Sequence, residues 1–137
     1  MKKLIAMVMG LSILFGASTM ASANASYGVS ANLTKTAYTQ SKDTNVVLIL
    51  SNNNKYEVGV DMQPQKLVGS RWSDLDWYDY SFVSSKKSNK NLHGIRANFK
   101  PYGYGTYRYK VTVNTFDKFG NEVLKGKFYT KTFKFNK

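Results

Sequence analysis

Residues 71–80 (RWSDLDWYDY) place two Trp, two Tyr and three Asp within ten positions. Flat aromatic faces beside carboxylate acceptors can stack on a sugar ring and bond its hydroxyls. The same residue types can anchor a protein partner, because Trp, Tyr and Arg dominate interface hot spots. The candidate binding residues are therefore Trp72, Asp74, Asp76, Trp77, Tyr78, Asp79 and Tyr80. A plainer reading stands beside this one: both Trp pack over the open end of a sandwich and the Asp residues are solvated. The spacing of Asp74, Asp76 and Asp79 does not fit an EF-hand calcium loop. A glycosidase would need two of these carboxylates as acid and base or nucleophile, and a domain this small leaves little room for the cleft.

The other chemistry-bearing residues are sparse. His93 is the only histidine, and Cys is absent. No G-x-S-x-G elbow surrounds a serine, and neither a P-loop nor G-x-G-x-x-G occurs. The sequence reads as that of a non-enzymatic protein, with no catalytic residue, no cofactor and no metal site.

A second candidate lies in residues 105–135. With Lys118 to Asn121 as a four-residue loop and Asp117 opposite Glu122, Val111 faces Phe128 and Val113 faces Gly126 on the inner side. Lys110 then faces Tyr129, Thr112 faces Lys127, Asn114 faces Lys125 and Arg108 faces Lys131 on the outer side. One sheet face would present Arg108, Lys110, Lys125, Lys127 and Lys131. Like charges directly opposite one another are mildly destabilising, so such a face suits an anion. It also suits plain solvation, since exposed charges are screened at physiological salt. Tyr102, Tyr104, Tyr107 and Tyr109 interleave with Arg108 and Lys110 in sequence, as in single-strand binders. On a strand, however, Tyr107 and Tyr109 share one face while Arg108 and Lys110 share the other, which argues against nucleic acid.

The whole chain of 137 residues has a formal charge of +12 and only three Arg among its 20 basic residues. An excess of Lys favours diffuse attraction to anionic partners over planar readout. Lys2 and Lys3, the apolar stretch over residues 4–15 and the small residues over 16–25 follow the order of a signal peptide. The apolar part is short for a membrane span. Residues 1–25 are thus expected to be cleaved, with Ala21-Ser22-Ala23 and Ala23-Asn24-Ala25 as the two candidate sites. Residues 26–137 are expected to form one exported domain with no transmembrane anchor. A cysteine-free secreted domain of this size is more typical of bacteria than of animals.

The elements that must position these residues all read as strands. Tyr27, Val29, Ala31 and Leu33 alternate with polar residues. Residues 44–51 form an apolar run suited to a central strand, and Asn52, Asn53 and Asn54 turn the chain. Tyr56, Val58, Val60 and Met62 alternate until Pro64, which is expected to end or edge that strand. Further strands are expected over 67–72, 78–83 and 92–99, with residues 84–91 (SSKKSNKN) as a solvated loop. Residues 101–105 form a corner, Tyr107 to Val113 a long strand, and 123–135 the last strand. The inward residues change parity along that last segment, so a bulge is expected between Tyr129 and Thr132. Seven or eight antiparallel strands with regular turns read as an all-β sandwich or barrel.

Gly105-Thr106-Tyr107-Arg108-Tyr109-Lys110-Val111 resembles the G-x-Y-x-Y-x-V start of the penultimate strand in immunoglobulin-like and fibronectin-III-like domains. Asp117 to Asn121 is similar to the D-x-x-G-N hairpin of bacterial members, and residues 46–52 to their second strand. The resemblance implies a single immunoglobulin-like β-sandwich and a tyrosine-corner bond from one of the two tyrosines to the loop before it. It fixes no function. The expected function is a secreted binding module for an anionic cell-wall polymer, polysaccharide or protein. A secreted inhibitor or effector, for example of a protease, and a basic antimicrobial or toxin-like protein are the alternatives.

Overall fold

The computed structural model describes residues 25–137. The leader expected over residues 1–25 lies, except for Ala25, outside the described residues.

The described residues are all-β apart from one α-helical turn and one 3-10 turn. The strands are β1 (Ala25–Ser26), β2 (Val29–Leu33), β3 (Ala37–Thr39), β4 (Asn45–Asn52), β5 (Val58–Val68), β6 (Arg71–Asp74), β7 (Asp79–Val83), β8 (Ser88–Gly94), β9 (Gly105–Phe116), β10 (Glu122–Tyr129) and β11 (Phe133–Asn136). The helical turn α1 (Ile95–Asn98) and a 3-10 turn (Lys100–Tyr102) lie between β8 and β9. A smaller sheet runs β1-β2-β4-β8; a larger one runs β3-β11-β9-β5-β6, with β10 also paired to β9 and β7 to β5. The two sheets pack face to face. Period-two patterning explains why: Val46, Leu48 and Leu50 of β4 meet Val58, Val60 and Met62 of β5 and Tyr107, Tyr109, Val111 and Val113 of β9 in one buried core.

Strands outnumber the expected seven or eight because the two long central strands change partners midway. The first half of β5 pairs with β7 and its second half with β6. Likewise β9 pairs first with β11 and then with β10. This explains Pro64, which lies within β5 and does not end it. It pairs with Tyr109 on one side and sits on the other at the gap between the β7 and β6 ladders. No strand there needs its missing N–H, while its carbonyl accepts from the Leu75 N–H at 3.0 Å.

Several local expectations are corrected. Tyr27 is not a strand residue: it and Gly28 have φ of 52° and 71° and form the two-residue turn between β1 and β2. Residues 67–72 are a hairpin crossing from β5 to β6, not a separate strand. Residues 84–91 are only half loop, since β8 begins at Ser88 and pairs along β4. Its Asn and Lys side chains suit an edge strand, which a polar surface protects from further pairing. Residues 92–99 are only half strand. Ile95 and Phe99 are both buried at i, i+4, and the Phe99 N–H donates to the Ile95 carbonyl at 3.1 Å; helical spacing takes over after Gly94.

The last hairpin also departs from the expected register near its tip. The Asp117 carboxylate accepts from the Phe119 and Asn121 N–H groups at 2.8 and 2.9 Å, so Asp117 belongs to the loop. The ladder therefore starts at Glu122 opposite Phe116, and Leu124, not Lys125, faces Asn114. Lys125 forms a bulge, after which Val113–Gly126, Thr112–Lys127, Val111–Phe128 and Lys110–Tyr129 pair as expected. The expected parity change past Tyr129 is a complete break between β10 and β11. It lets Phe128, Phe133 and Phe135 all reach the core.

Candidate functional site

The aromatic and acidic residues of 71–80 divide among three places. Trp72 and Asp74 lie on β6, paired through Leu67–Trp72 and Gln65–Asp74 to β5. β5 in turn pairs through Gln65–Arg108 and Gln63–Lys110 to β9. The alternate residues of β5 and β9 point into the core, so Trp72, Asp74, Gln65, Arg108 and Lys110 share the outer face of the larger sheet.

There they form a connected group. The Arg108 guanidinium lies 4.2 Å from the centre of the Trp72 ring and 3.9 Å from that of Tyr129. Trp72 comes from the β6 side and Tyr129 from the β10 side, so the cation is held between them. Arg108 Nε donates to Gln65 Oε1 at 2.8 Å, and Gln65 Nε2 donates to Asp74 Oδ1 at 2.7 Å. Lys110 Nζ completes the chain on Asp74 Oδ2 at 3.0 Å. The Gln65 and Lys110 bonds hold the Asp74 carboxyl below its ordinary range. Lys127 stands further along the same face, opposite Thr112.

Trp77 and Asp79 face the other way. Trp77 is half-buried, donates its indole N–H to the Asn98 carbonyl at 3.0 Å, and meets His93 and Phe99 edge-on at 5.2 and 5.6 Å. Asp79 Oδ2 lies 2.9 Å from His93 Nε2, and His93 Nδ1 lies 2.7 Å from the Tyr109 hydroxyl. Burial pushes the His93 pKa down against the pull of Asp79, and burial pushes the Tyr109 phenol up. The order carboxylate, imidazole, hydroxyl is that of a proton relay. It ends, however, on a hydroxyl whose residue has no exposed surface, where a substrate has no access. The line instead ties β7 and β9 of one sheet to β8 of the other.

Tyr80 lies over Gly59 at the far end of the outer face. Its hydroxyl donates to the Glu122 carboxylate, and it meets Phe82 edge-on at 5.1 Å, which stacks on Phe116 at 5.8 Å. Asp76 and Tyr78 are exposed on the connection between β6 and β7. The seven residues thus do not form one stacking site.

The basic face is likewise smaller than the five expected cations. Arg108, Lys110 and Lys127 share it. Lys125, in its bulge, lines a hollow with Tyr56, Glu57, Thr115 and Phe116. Lys131, beyond the end of β10, lines another with Leu33, Lys35 and Thr36 beside the smaller sheet. Sequence reading missed Gln65 as the residue that joins Arg108 to Asp74, because only the long-range pairing of β5 with β9 reveals it. Among the described residues no cluster of three His, Asp or Glu side chains is placed to hold a metal. No family model matches this chain, and no curated protein is similar enough to it to stand as a relative.

Proposed function

We propose that this protein is a secreted, non-enzymatic binding module of immunoglobulin-like type that attaches to an anionic surface polymer through the outer face of its larger sheet. The observation that carries the reading is the Arg108 guanidinium fixed between Trp72 and Tyr129, with Lys110 and Lys127 on the same face. A cation held against two aromatic rings, with two lysines beside it on one sheet surface, suits a polyanion with sugar or polyol units. The immunoglobulin-like assignment is supported by the hydroxyl of Tyr107, which donates to the Gly103 carbonyl just upstream as a tyrosine corner does.

The test is co-sedimentation with purified bacterial cell wall at low and high salt. Wild-type protein is expected in the pellet at low salt and in the supernatant at high salt, because exposed charges are screened. A Lys110→Ala, Lys127→Ala double variant is expected to stay in the supernatant at both. Absence of wild-type protein from the pellet at low salt defeats the proposal.

A second reading has its own observation. Phe82 and Leu124 are 56% and 67% exposed at the Tyr80 end of the face, beside Phe116. Apolar side chains grouped in this way suit a protein partner, as an inhibitor or effector would need. Saturable complex formation that survives high salt would favour it.

A further inference from the structure

We infer that the outer face reads its ligand through one specific oxyanion site, the free edge of the Arg108 guanidinium, which grips a carboxylate or phosphate group by a two-pronged fork. The inference rests on the proposal that this face is the binding face, and it names what that face recognises.

A guanidinium has two flat faces and five N–H donors. Here both faces are covered, by Trp72 at 4.2 Å and Tyr129 at 3.9 Å. The Nε edge is taken by Gln65 at 2.8 Å. Gln65 cannot turn away, because its amide nitrogen is held by Asp74, and Asp74 is held by Lys110. Only the Nη edge remains, and among the described residues it meets no hydrogen-bond acceptor. Arg108 is half-buried, so this edge opens on the surface of an otherwise enclosed cation.

The fork is therefore aimed before a ligand arrives, and little side-chain freedom is lost on binding. Two parallel N–H donors match the two oxygens of a carboxylate or phosphate. A Lys at this position would supply the charge without that match. Asp74 does not oppose the ligand at full strength, since Gln65 and Lys110 already occupy it.

The next cation on the face with no hydrogen-bonded carboxylate among the described residues is Lys127. It lies across from Thr112, four residues along β9 from Arg108, which is roughly 13 Å along the strand. That span exceeds one small anion. The ligand that uses both cations is a polymer carrying an oxyanion on successive units: an acidic polysaccharide with carboxylates or a polyol phosphate.

The experiment is calorimetric titration of wild type, Arg108→Lys and Lys127→Ala with oligogalacturonate, with polyglycerol phosphate and with neutral dextran. Wild type is expected to bind at least one polyanion and not dextran, and the better polymer identifies the oxyanion. Arg108→Lys, which keeps the charge, is expected to bind at least about tenfold more weakly, the loss of a charge-assisted hydrogen bond. Lys127→Ala is expected to weaken binding by about two- to threefold, an effect that fades with salt. Nitrogen-15 spectra of the wild type check the fork without any variant: the Arg108 Nη protons should sharpen and shift as the polymer is added. Equal affinity of Arg108→Lys and wild type, or unmoved Arg108 signals at saturation, overturns the fork and leaves the binding face standing. Failure of wild type to bind either polyanion overturns the binding face itself.

Discussion

The Nε2 atom of His93, on β8 of the smaller sheet, lies 2.9 Å from a carboxylate oxygen of Asp79, on β7 of the larger one. Burial between the sheets holds the pKa of His93 below its ordinary 6.5. An unfolded chain takes up that proton as pH falls through about 6.5, while the folded chain resists until a lower pH. In that window the unfolded state binds more protons, so stability falls as pH falls. Above about 6.5 the histidine contributes no slope. Asp43 and Asp74, whose carboxyls are held below 3.8 by hydrogen bonds from Lys35 and Gln65, lose their contributions only at lower pH. Urea midpoints measured from about pH 7.5 to about pH 4.5 should decline for wild type, while His93→Gln should lack that decline and keep only the opposite trend that Asp61, whose carboxyl burial pushes up, adds toward the acidic end. A wild-type midpoint constant over that range contradicts the prediction.

Tyr109 lies on the other side of the same ring, its hydroxyl 2.7 Å from His93 Nδ1. Tyr109→Phe keeps the ring and its stacking on Phe133 at 5.9 Å but leaves a buried imidazole nitrogen without a partner. The expected cost is about 1–3 kcal/mol in urea denaturation. In a His93→Phe background the same substitution should cost much less, because nothing polar is then stranded. Equal costs in both backgrounds would mean that the hydroxyl acts through some other contact.

Gly59 shows why a strand interior can require glycine. A Cβ built there comes within 1.8 Å of the Tyr80 hydroxyl oxygen. Tyr80 can swing outward, at the expense of its bond to Glu122 and its contact with Phe82. Gly59→Ala should therefore destabilise by about 1 kcal/mol, the size of a lost hydrogen bond. On a Tyr80→Ala background the sign should reverse, since alanine restricts the unfolded chain. If both backgrounds give the same loss, the obstruction is the Phe116 ring, 3.3 Å from that Cβ.

Alternation made the core of this fold legible in the sequence. Val46, Leu48 and Leu50, and Tyr107, Tyr109, Val111 and Val113, lie inward as period two demands. The lower half of the last hairpin could be registered residue by residue for the same reason. What could not be read depended on contacts far apart in the chain. Pro64 looked like a strand end because its tolerance comes from the gap between β7 and β6. Arg108 could be placed on the outer face, but its neighbours Gln65 and Trp72 come from strands about forty residues earlier. The Asp117 carboxylate drew its own residue into the loop, which is therefore one residue longer than the pattern suggested. Trp72 and Trp77 were inseparable in sequence, since five residues of a curving connection decide which faces outward.

Those two tryptophans give the sharpest separation between surface and core. Trp77 is held by the Asn98 carbonyl and packs edge-on against His93 and Phe99. Its removal opens the space over Phe99, and Trp77→Ala should cost about 3 kcal/mol in urea denaturation. The fraction that remains folded should still sediment with cell wall, because the outer face is untouched. Trp72 covers one face of the Arg108 guanidinium. Trp72→Ala should cost only about 0.5–1 kcal/mol, the scale of an exposed cation–π contact, yet it should release the protein from cell wall at a lower salt concentration than wild type. The prediction requires the two variants to differ in opposite senses, one in stability and the other in retention. Loss of retention in Trp77→Ala at full folding, with Trp72→Ala behaving as wild type, would move the binding surface from the sheet face to the end of the sandwich.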